Sequence, residues 1–349
     1  MAFFRVLGEK LAALTSLIHP GERWLILISA DPDALGCAMA LRKIIARHGG
    51  QADIGHTNEI SRPDNLAMVR TLRIPLIRLA PDTIARYQRF AMVDSQPHHS
   101  TDFPPVDLDI LLDHHPVDPA RPPRARYVEI PTGYGACSSL LTEYLYNLGV
   151  KPGKLLATAL LYGIKTDTGS FERAFSDVDV KAFSWLSKFS DKLLLRRIVH
   201  AEFHRSWLAY FSRAFERMRP VGKDGLHAYV GPVENPDVLV VLADFFLRVH
   251  GLSWIAIAGA YASRLVVVMR SDGLRRDIGA KARTWFGDYG CAGGHMMAAR
   301  AEIELDRLAG FDPEAFLWSR LTGRPLEPDL PPAEGQACPV NPAHRPGKP

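Results

Sequence analysis

Residues 110–118, ILLDHHPVD, place one carboxylate and two imidazoles directly behind an apolar run. A short apolar run of this kind is typical of a buried strand. In an open parallel sheet the carboxyl ends of the strands line one crevice, where side chains from several strands converge. The stretch therefore predicts a parallel sheet with a metal or acid/base site at the end of one strand.

The surrounding sequence alternates short apolar runs with helical patterns. WLILIS (24–29) is followed by DALGCAMALRKIIARHG (33–49), and FAMVDS (90–95) precedes DILLDHH (109–115). Apolar runs that do not alternate with polar residues, and that helices separate, indicate parallel strands covered on both faces. We predict an α/β domain over residues 1–195.

The second half of the chain predicts a smaller domain. Residues 196–219 carry aromatic and aliphatic residues at helical spacing without Gly or Pro, which predicts one long connecting helix. Three strand patterns, with a helical pattern between the first two, predict a second α/β domain over residues 220–320. Residues 321–349 are rich in proline and poor in apolar residues, and we expect this tail to be disordered.

The composition is that of an ordinary globular protein. The 349 residues include 42 Lys and Arg against 38 Asp and Glu, an excess that is compatible with a polyanionic substrate without requiring one. The four cysteines form no CxxC pair, which argues against a zinc knuckle or a disulfide framework. No apolar run reaches the ~18 residues of a membrane span. We expect a cytoplasmic protein without membrane contact.

Carboxylates or histidines follow four apolar runs of the first domain, and they would meet in one crevice if the runs are neighbouring strands. They are Asp31 and Asp33, Asp94, the trio Asp113, His114 and His115, and Asp167. Carboxylates in one cleft repel one another unless a cation compensates, and oxygen with imidazole ligands suits Mn²⁺ or Mg²⁺. Two such ions roughly 3.5 to 4 Å apart can activate water and hold a phosphoryl group.

Three of the four segments have a simpler interpretation. Asp31 could cap a helix that begins near Ala34, and Asp94 and Asp167 could be turn residues. The adjacent His114 and His115 have no packing rationale at the end of a strand. The conjunction of the four segments is therefore more specific than any one of them.

The segments DPDALG, VDS, DHH and TDTGSF, in this order and spacing, resemble the four motifs of the DHH phosphoesterases of the RecJ-like superfamily. Residues 269–303 are similar to the accessory domain called DHHA1, whose signature is a run of glycines followed by histidine. The resemblance implies a parallel-sheet DHH domain and a smaller α/β DHHA1 domain, with the active site in the cleft between them.

The resemblance also implies a site with two Mn²⁺ ions, or Mg²⁺ in their place. The implied metal ligands are Asp31, Asp33, Asp94, His114 and Asp167, with Asp94 bridging the ions. Asp113 would orient a neighbouring histidine, and His115 would assist proton transfer or phosphate binding.

The DHHA1-like segment contributes the implied substrate-binding residues. Gly293 and Gly294 would let the backbone approach a phosphate or sugar closely. Arg270, Ser271 and His295 would hold the far end of the substrate.

One position departs from the family pattern. In the short-nucleotide branch a histidine stands four residues before the first aspartate, where this chain has Leu27. Either one ion is bound more weakly or another group replaces the histidine. His98 and His99 are candidates for that replacement, although QPHHS also fits a solvated loop.

The chain resembles the oligoribonuclease and phosphoadenosine-phosphate phosphatase branch more than the longer exonucleases, which add a nucleic-acid-binding OB domain. We therefore predict an enzyme that uses metal-activated water to hydrolyse phosphoester bonds in short RNA or DNA oligonucleotides or in small nucleotides. A homodimer is compatible with this prediction. The alternatives are a cyclic or linear dinucleotide phosphodiesterase and a weakened DHH-fold regulator that binds a nucleotide or RNA.

Overall fold

The computed structural model describes residues 3–201, 203–308 and 310–325. The chain forms two compact units, Met1–Phe203 and His204–Pro349, which we name unit 1 and unit 2. The boundary falls inside the segment that the sequence predicts to be one connecting helix.

Unit 1 contains a six-stranded parallel sheet, as the sequence predicts. The strands are β1 (Arg23–Ile28), β2 (Gln51–His56), β3 (Leu76–Arg78), β4 (Arg89–Val93), β5 (Leu108–Leu112) and β6 (Ala125–Glu129). Their order is β3-β2-β1-β4-β5-β6. The order reverses between β1 and β4, and in open α/β sheets a ligand crevice forms at such a switch point. The segments after β1, β4 and β5 all reach this crevice.

Helices cover the sheet of unit 1. They are α1 (Gly8–Thr15), α2 (Pro32–Arg47), α3 (Pro63–Leu72), α4 (Pro81–Ile84), α5 (Cys137–Asn147), α6 (Lys154–Asp167), α7 (Asp177–Leu186) and α8 (Lys192–Val199). Ile26 and Ile28 of β1 belong to one buried cluster, and Leu25 and Leu27 belong to another. Because both faces of β1 are buried, its sequence is a continuous apolar run.

The fourth apolar run is a helix, and in this respect the expectation of four neighbouring strands is wrong. Residues 154–167 form α6, which packs against α2 and α5 and is buried from Leu156 to Ile164. A helix that is buried on all sides is apolar all round, so its local pattern resembles that of a buried strand. Asp167 is the last residue of this helix.

The predicted connecting helix over residues 196–219 is also wrong as a single element. Helix α8 ends at Val199, and α9 (Leu208–Arg217) begins after a 3-10 turn at Arg205–Trp207. Ile198 is buried in the core of unit 1, whereas Trp207 is buried in a cluster of unit 2. Because α8 and the segment that begins α9 bury their apolar faces in different cores, the helix is interrupted between them.

Unit 2 contains a mixed six-stranded sheet in the order β11-β12-β10-β9-β8-β7. Its strands are β7 (Arg219–Val221), β8 (Gly225–Pro232), β9 (Trp254–Tyr261), β10 (Arg264–Ser271), β11 (Cys291–Gly294) and β12 (Ala298–Glu304). Among the described strands of this sheet, only β8 and β9 are paired in parallel. Its further helices are α10 (Asp237–Phe246), α11 (Ile278–Phe286) and α12 (Pro313–Thr322). The predicted second α/β architecture is confirmed.

The end of the described chain differs from the predicted tail. Helix α12 continues to Thr322, and Leu321 is buried in the core of unit 2, so residues 321 and 322 are folded. Residues 326–349 of the predicted tail lie outside the described residues. Within the described ranges, none of the helices has the length and apolar character needed to cross a bilayer.

A buried histidine gives unit 2 a predicted pH dependence. His227 of β8 has no exposed surface, and neither of its ring nitrogens has a hydrogen-bond partner among the described residues. Burial, together with the charge of Arg219, lowers the pKa of His227 to about 4 from 6.5. Between these two pH values the unfolded chain binds a proton that the folded chain does not. Protonation of His227 in the unfolded chain therefore lowers the free energy of unfolding by about 1.4 kcal/mol for each pH unit of acidification from pH 6.5 toward pH 4. Above pH 6.5 this loss of stability is absent.

Urea unfolding followed by tryptophan fluorescence at pH 4.5, 5.5 and 7 tests this expectation. The matched variant is His227→Phe, which retains a ring beside Trp318 (centroids 5.2 Å apart in the wild type) but does not titrate. We expect a smaller loss of stability on acidification in the variant. Equal losses in both proteins would contradict the assignment.

Candidate metal centre

The turn between β1 and α2 places two aspartates differently. Asp31 is the N-cap of α2, and its side chain accepts a hydrogen bond from the Ala34 amide at 2.9 Å. Asp31 therefore makes the helix-capping contact that its simpler interpretation predicts. The surrounding protein desolvates the Asp31 carboxyl and, together with the charge of Asp167, raises its pKa to about 7, although the residue keeps an exposed surface.

Asp33 lies in the first turn of α2 and is completely buried. Its carboxylate accepts hydrogen bonds from the amides of Cys137 (2.6 Å) and Ser138 (2.8 Å) at the start of α5. Burial and the charge of Asp167 nevertheless raise the pKa of Asp33 to about 6. The backbone of α5 therefore holds this carboxylate in place, a contribution that the sequence analysis missed because main-chain donors carry no residue signature.

Asp94 follows β4 directly and has an uncommon backbone conformation. Its φ of 56° lies in the left-handed region, which few non-glycine residues adopt. The side chain is buried, and neither Oδ1 nor Oδ2 has a hydrogen-bond partner among the described residues. Burial and the charges of Asp33 and Asp31 raise its pKa well above the usual value. A strained, buried carboxylate without donors indicates a position maintained for a ligand.

His114 faces the carboxylates with one ring nitrogen. Its Nδ1 lies 3.0 Å from the Tyr134 carbonyl oxygen and, as donor, fixes the tautomer. Nε2 lies 3.4 Å from Asp94 Oδ1 and 3.3 Å from Asp167 Oδ2. Burial disfavours the imidazolium, but the carboxylates of Asp167 and Asp33 outweigh this effect and raise the pKa of His114 to about 9.

The structure brings four of the five predicted ligands together. One ligand atom each from Asp33, Asp94, His114 and Asp167 lies within 4.8 Å of the others, and we name this set the four-ligand cluster. Asp31 is not part of such a group among the described residues. Three buried polar atoms of the cluster, both oxygens of Asp94 and Nε2 of His114, lack hydrogen-bond partners in the described chain. A divalent cation would satisfy these atoms, and three carboxylates with one imidazole suit Mn²⁺ or Mg²⁺.

His115 is held by the buried carboxylate of Asp113. Its Nδ1 lies 2.8 Å from Oδ1 of Asp113, whose Oδ2 accepts a hydrogen bond from Nε2 of the buried Gln96 at 2.8 Å. Burial opposes the charge of Asp113, but the donors His115 and Gln96 lower its pKa to about 2. The hydrogen bond to Asp113 in turn raises the pKa of His115. Gln96 is a further residue that the sequence analysis missed, although it follows the second motif immediately.

Position 27, where the family pattern has a histidine, lies in an apolar environment. Leu27 is fully buried in β1 and packs in an apolar cluster. His99 forms a group with Asp113 and His115 whose ligand atoms lie within 4.8 Å of one another, and His115 also forms such a group with Asp94 and His114. His98 contacts His99 edge to face at 4.7 Å. His99 therefore lies beside His115, His98 lies beside His99, and neither belongs to the four-ligand cluster.

The predicted substrate-binding residues lie in unit 2, around the ends of β10 and β11. Arg270 pairs with Asp244 at 2.6 Å, and the buried Ser271 donates to the Met296 carbonyl at 2.7 Å. Gly294 has a φ of 149°, and a Cβ there would lie 2.2 Å from the Ala298 carbonyl oxygen. Gly293 has open space around it, and His295 is exposed. Their role toward a substrate and the predicted cleft between the domains stay predictions.

Comparison with known proteins finds a relative in sequence and solved structures with the same fold. No family model matches the chain. A curated relative, an uncharacterized protein of Methanocaldococcus jannaschii, is 32% identical over 297 residues, which are 85% of this chain and 59% of that protein. The chain thus spans less than two thirds of the length of this relative.

Two solved structures share the fold. An exopolyphosphatase-related protein from Bacteroides fragilis aligns with a TM-score of 0.67 and 15% identity, over 90% of this chain and 97% of that chain. RecJ from Thermus thermophilus, solved with Mn²⁺, aligns with a TM-score of 0.51 and 15% identity, over 91% of this chain and 55% of that one.

Proposed function

We propose that the chain, which shares its fold with an exopolyphosphatase-related protein and with RecJ, is a metal-dependent phosphoesterase of the DHH type acting on short oligonucleotides or small nucleotides. The observation that carries the proposal is the four-ligand cluster, in which the buried Asp94 carboxylate lacks hydrogen-bond donors within the described chain. A buried charge of this kind is costly unless a cation compensates it.

The four-ligand cluster would hold one divalent cation, for which we propose Mn²⁺ with Mg²⁺ as the alternative. When bound, the cation would supply Lewis-acid chemistry that polarises a phosphoryl oxygen and makes water a stronger nucleophile. A second ion would have Asp31 and a shared Asp94 as carboxylate ligands, without the histidine that Leu27 replaces. We therefore expect the second position to bind more weakly.

His115 is the residue proposed to handle the proton. With Nδ1–H donating to Asp113, the other ring nitrogen remains free to donate to a phosphate oxygen or to the leaving oxygen. The Asp113 carboxylate stabilises the imidazolium, and Gln96 holds that carboxylate from its other side. In unit 2, Arg270, Ser271, Gly293, Gly294 and His295 remain the proposed contacts for the far end of the substrate.

Hydrolysis of a defined panel tests the function. Purified protein, with Mn²⁺ and then with chelator, is given a labelled RNA dinucleotide and five-mer, 3′-phosphoadenosine 5′-phosphate, a cyclic dinucleotide and pyrophosphate. Chelator-sensitive release of mononucleotides or phosphate supports the proposal and identifies the substrate branch. Cleavage confined to the cyclic or linear dinucleotide would favour the dinucleotide phosphodiesterase alternative.

A protein that takes up no stoichiometric Mn²⁺ and hydrolyses none of these compounds would contradict the proposal. If it still bound the nucleotides or RNA, the regulatory alternative would be favoured. The control for variants of the cluster aspartates is Asp109→Asn, because Asp109 is a buried carboxylate of β5 that pairs with Arg89 and Arg126 outside the cluster.

The proposed role of Asp113 gives a graded prediction. Asp113→Asn keeps the shape of the side chain but removes the charge that stabilises the His115 imidazolium. We expect a roughly 10- to 100-fold loss of kcat, comparable to the loss of other residues that orient ligands. Manganese uptake is expected to be retained, and the alkaline limb of the pH–rate profile is expected to shift to lower pH. An unchanged pH profile would indicate a purely structural role for Asp113.

A further inference from the structure

Unit 2 contains a pocket of about 430 Å³ whose wall is unusually rich in tryptophan and arginine. It is lined by the indoles of Trp254, Trp285 and Trp318 and by the side chains of Arg276 and Arg324, among other residues. None of the lining residues within the described ranges is acidic. The predicted substrate-binding residues of this unit are not part of its wall.

The aromatic side chains offer surfaces for stacking. Trp254 is fully buried and packs against Trp285, with ring centroids 5.3 Å apart. Trp285 and Trp318 line the pocket and are only partly buried, with the Lys281 ammonium 5.9 Å from the Trp285 ring centroid and the His227 ring 5.2 Å from that of Trp318. Partly exposed indoles are the groups on which proteins stack nucleobases, because every base has a π face.

Two arginine side chains lie over two of the three indoles, those of Trp254 and Trp318. The Arg276 guanidinium lies 5.7 Å from the centroid of the Trp254 ring, and the Arg324 guanidinium lies 5.6 Å from that of Trp318. Arg276 also pairs with Asp224 at 2.7 Å. No carboxylate of the described residues lies within ion-pair distance of Arg324, so within that part of the chain its positive charge has no partner. A planar aromatic group joined to an anion complements this wall in both shape and charge.

We propose that this pocket is a nucleotide-binding site, in which Trp285 and Trp318 contact the base and Arg276 and Arg324 contact the phosphate. The proposal rests on unit 2 alone and on no step of the proposed hydrolysis. The same chemistry is presented by a free mononucleotide and by the terminal nucleotide of an oligonucleotide.

Equilibrium dialysis of the full chain in the presence of EDTA tests the proposal. The probes are labelled AMP, a 5′-phosphorylated tetranucleotide, adenosine and inorganic phosphate. We expect AMP or the tetranucleotide to bind at least tenfold more tightly than adenosine or phosphate, because only these two combine a base with a phosphate. Tighter binding of AMP identifies a free nucleotide as the ligand, and tighter binding of the tetranucleotide identifies an oligonucleotide end.

Variants locate the binding. Trp318→Ala and Arg324→Ala are each expected to weaken the tighter probe at least tenfold, and Arg324→Ala alters an exposed side chain whose loss leaves the core intact. Arg300→Ala, an exposed arginine on β12, is the matched control and is expected to bind normally. Asp94→Asn is also expected to bind normally, which separates this site from the metal centre. Absence of binding, or equal affinity in wild type, Trp318→Ala and Arg324→Ala, would overturn the proposal.

Discussion

Asp94→Asn is expected to lower metal-dependent phosphoester hydrolysis by about 10³-fold or more, while the metal-free protein becomes more heat-stable. The loss of activity follows from the position of Asp94, whose carboxylate faces His114 at 3.4 Å inside the four-ligand cluster. The gain in stability follows from removing a carboxyl group whose charged form is disfavoured by burial, by the lack of a donor in the described chain and by repulsion from Asp33. Asparagine also tolerates the left-handed backbone at this position.

Thermal unfolding with EDTA and with Mn²⁺ checks this prediction beside the hydrolysis assay. The wild type should be stabilised by Mn²⁺ and the variant should not, because ligand binding to the native state raises its stability. Asp94→Ala separates charge from backbone, since alanine lacks the left-handed preference and should gain less heat stability than asparagine. Wild-type turnover or wild-type manganese uptake in Asp94→Asn would show that Asp94 is not a metal ligand.

The second large effect is expected from substitution of Gly163, which has no functional group to contribute to the site. A Cβ on Gly163 of α6 would lie 2.5 Å from Ser138 Oγ and 2.7 Å from Asp33 Oδ1. Gly163→Ala must therefore displace Asp33 or separate α6 from α2. We expect a loss of about 1 to 3 kcal/mol in the free energy of unfolding. Activity should fall by about 10²-fold, because a small displacement of a site group is enough to cost that much.

Gly153→Ala on the same helix is the matched control. Gly153 is the N-cap of α6, and a Cβ there would meet nothing within 4 Å. Its unfolding free energy and activity are expected to stay near those of the wild type. Urea unfolding, manganese uptake and kcat measured on both variants decide the matter. Equal behaviour of Gly163→Ala and Gly153→Ala would show that the tight packing around Asp33 does not control the site.

The sequence predicted the parallel sheet from the segments of β1, β4 and β5, which are largely buried and therefore appear as apolar runs. It misidentified α6 for the same reason, since a helix buried on all sides also lacks an alternating pattern. The four motifs also indicated which side chains belong to one site. The structure brings Asp33, Asp94, His114 and Asp167 together, and their role as metal ligands stays a prediction.

The sequence by itself determined the residue types of the site and their order, because a carboxylate or imidazole directly after an apolar run is a local feature. Only the tertiary structure decided that Asp167 arrives from a helix and that the amides of Cys137 and Ser138 hold Asp33. It also decided that Trp254, Trp285 and Trp318 line one pocket. These contacts join segments far apart in the chain through main-chain donors and side-chain packing, and neither leaves a pattern in the local sequence.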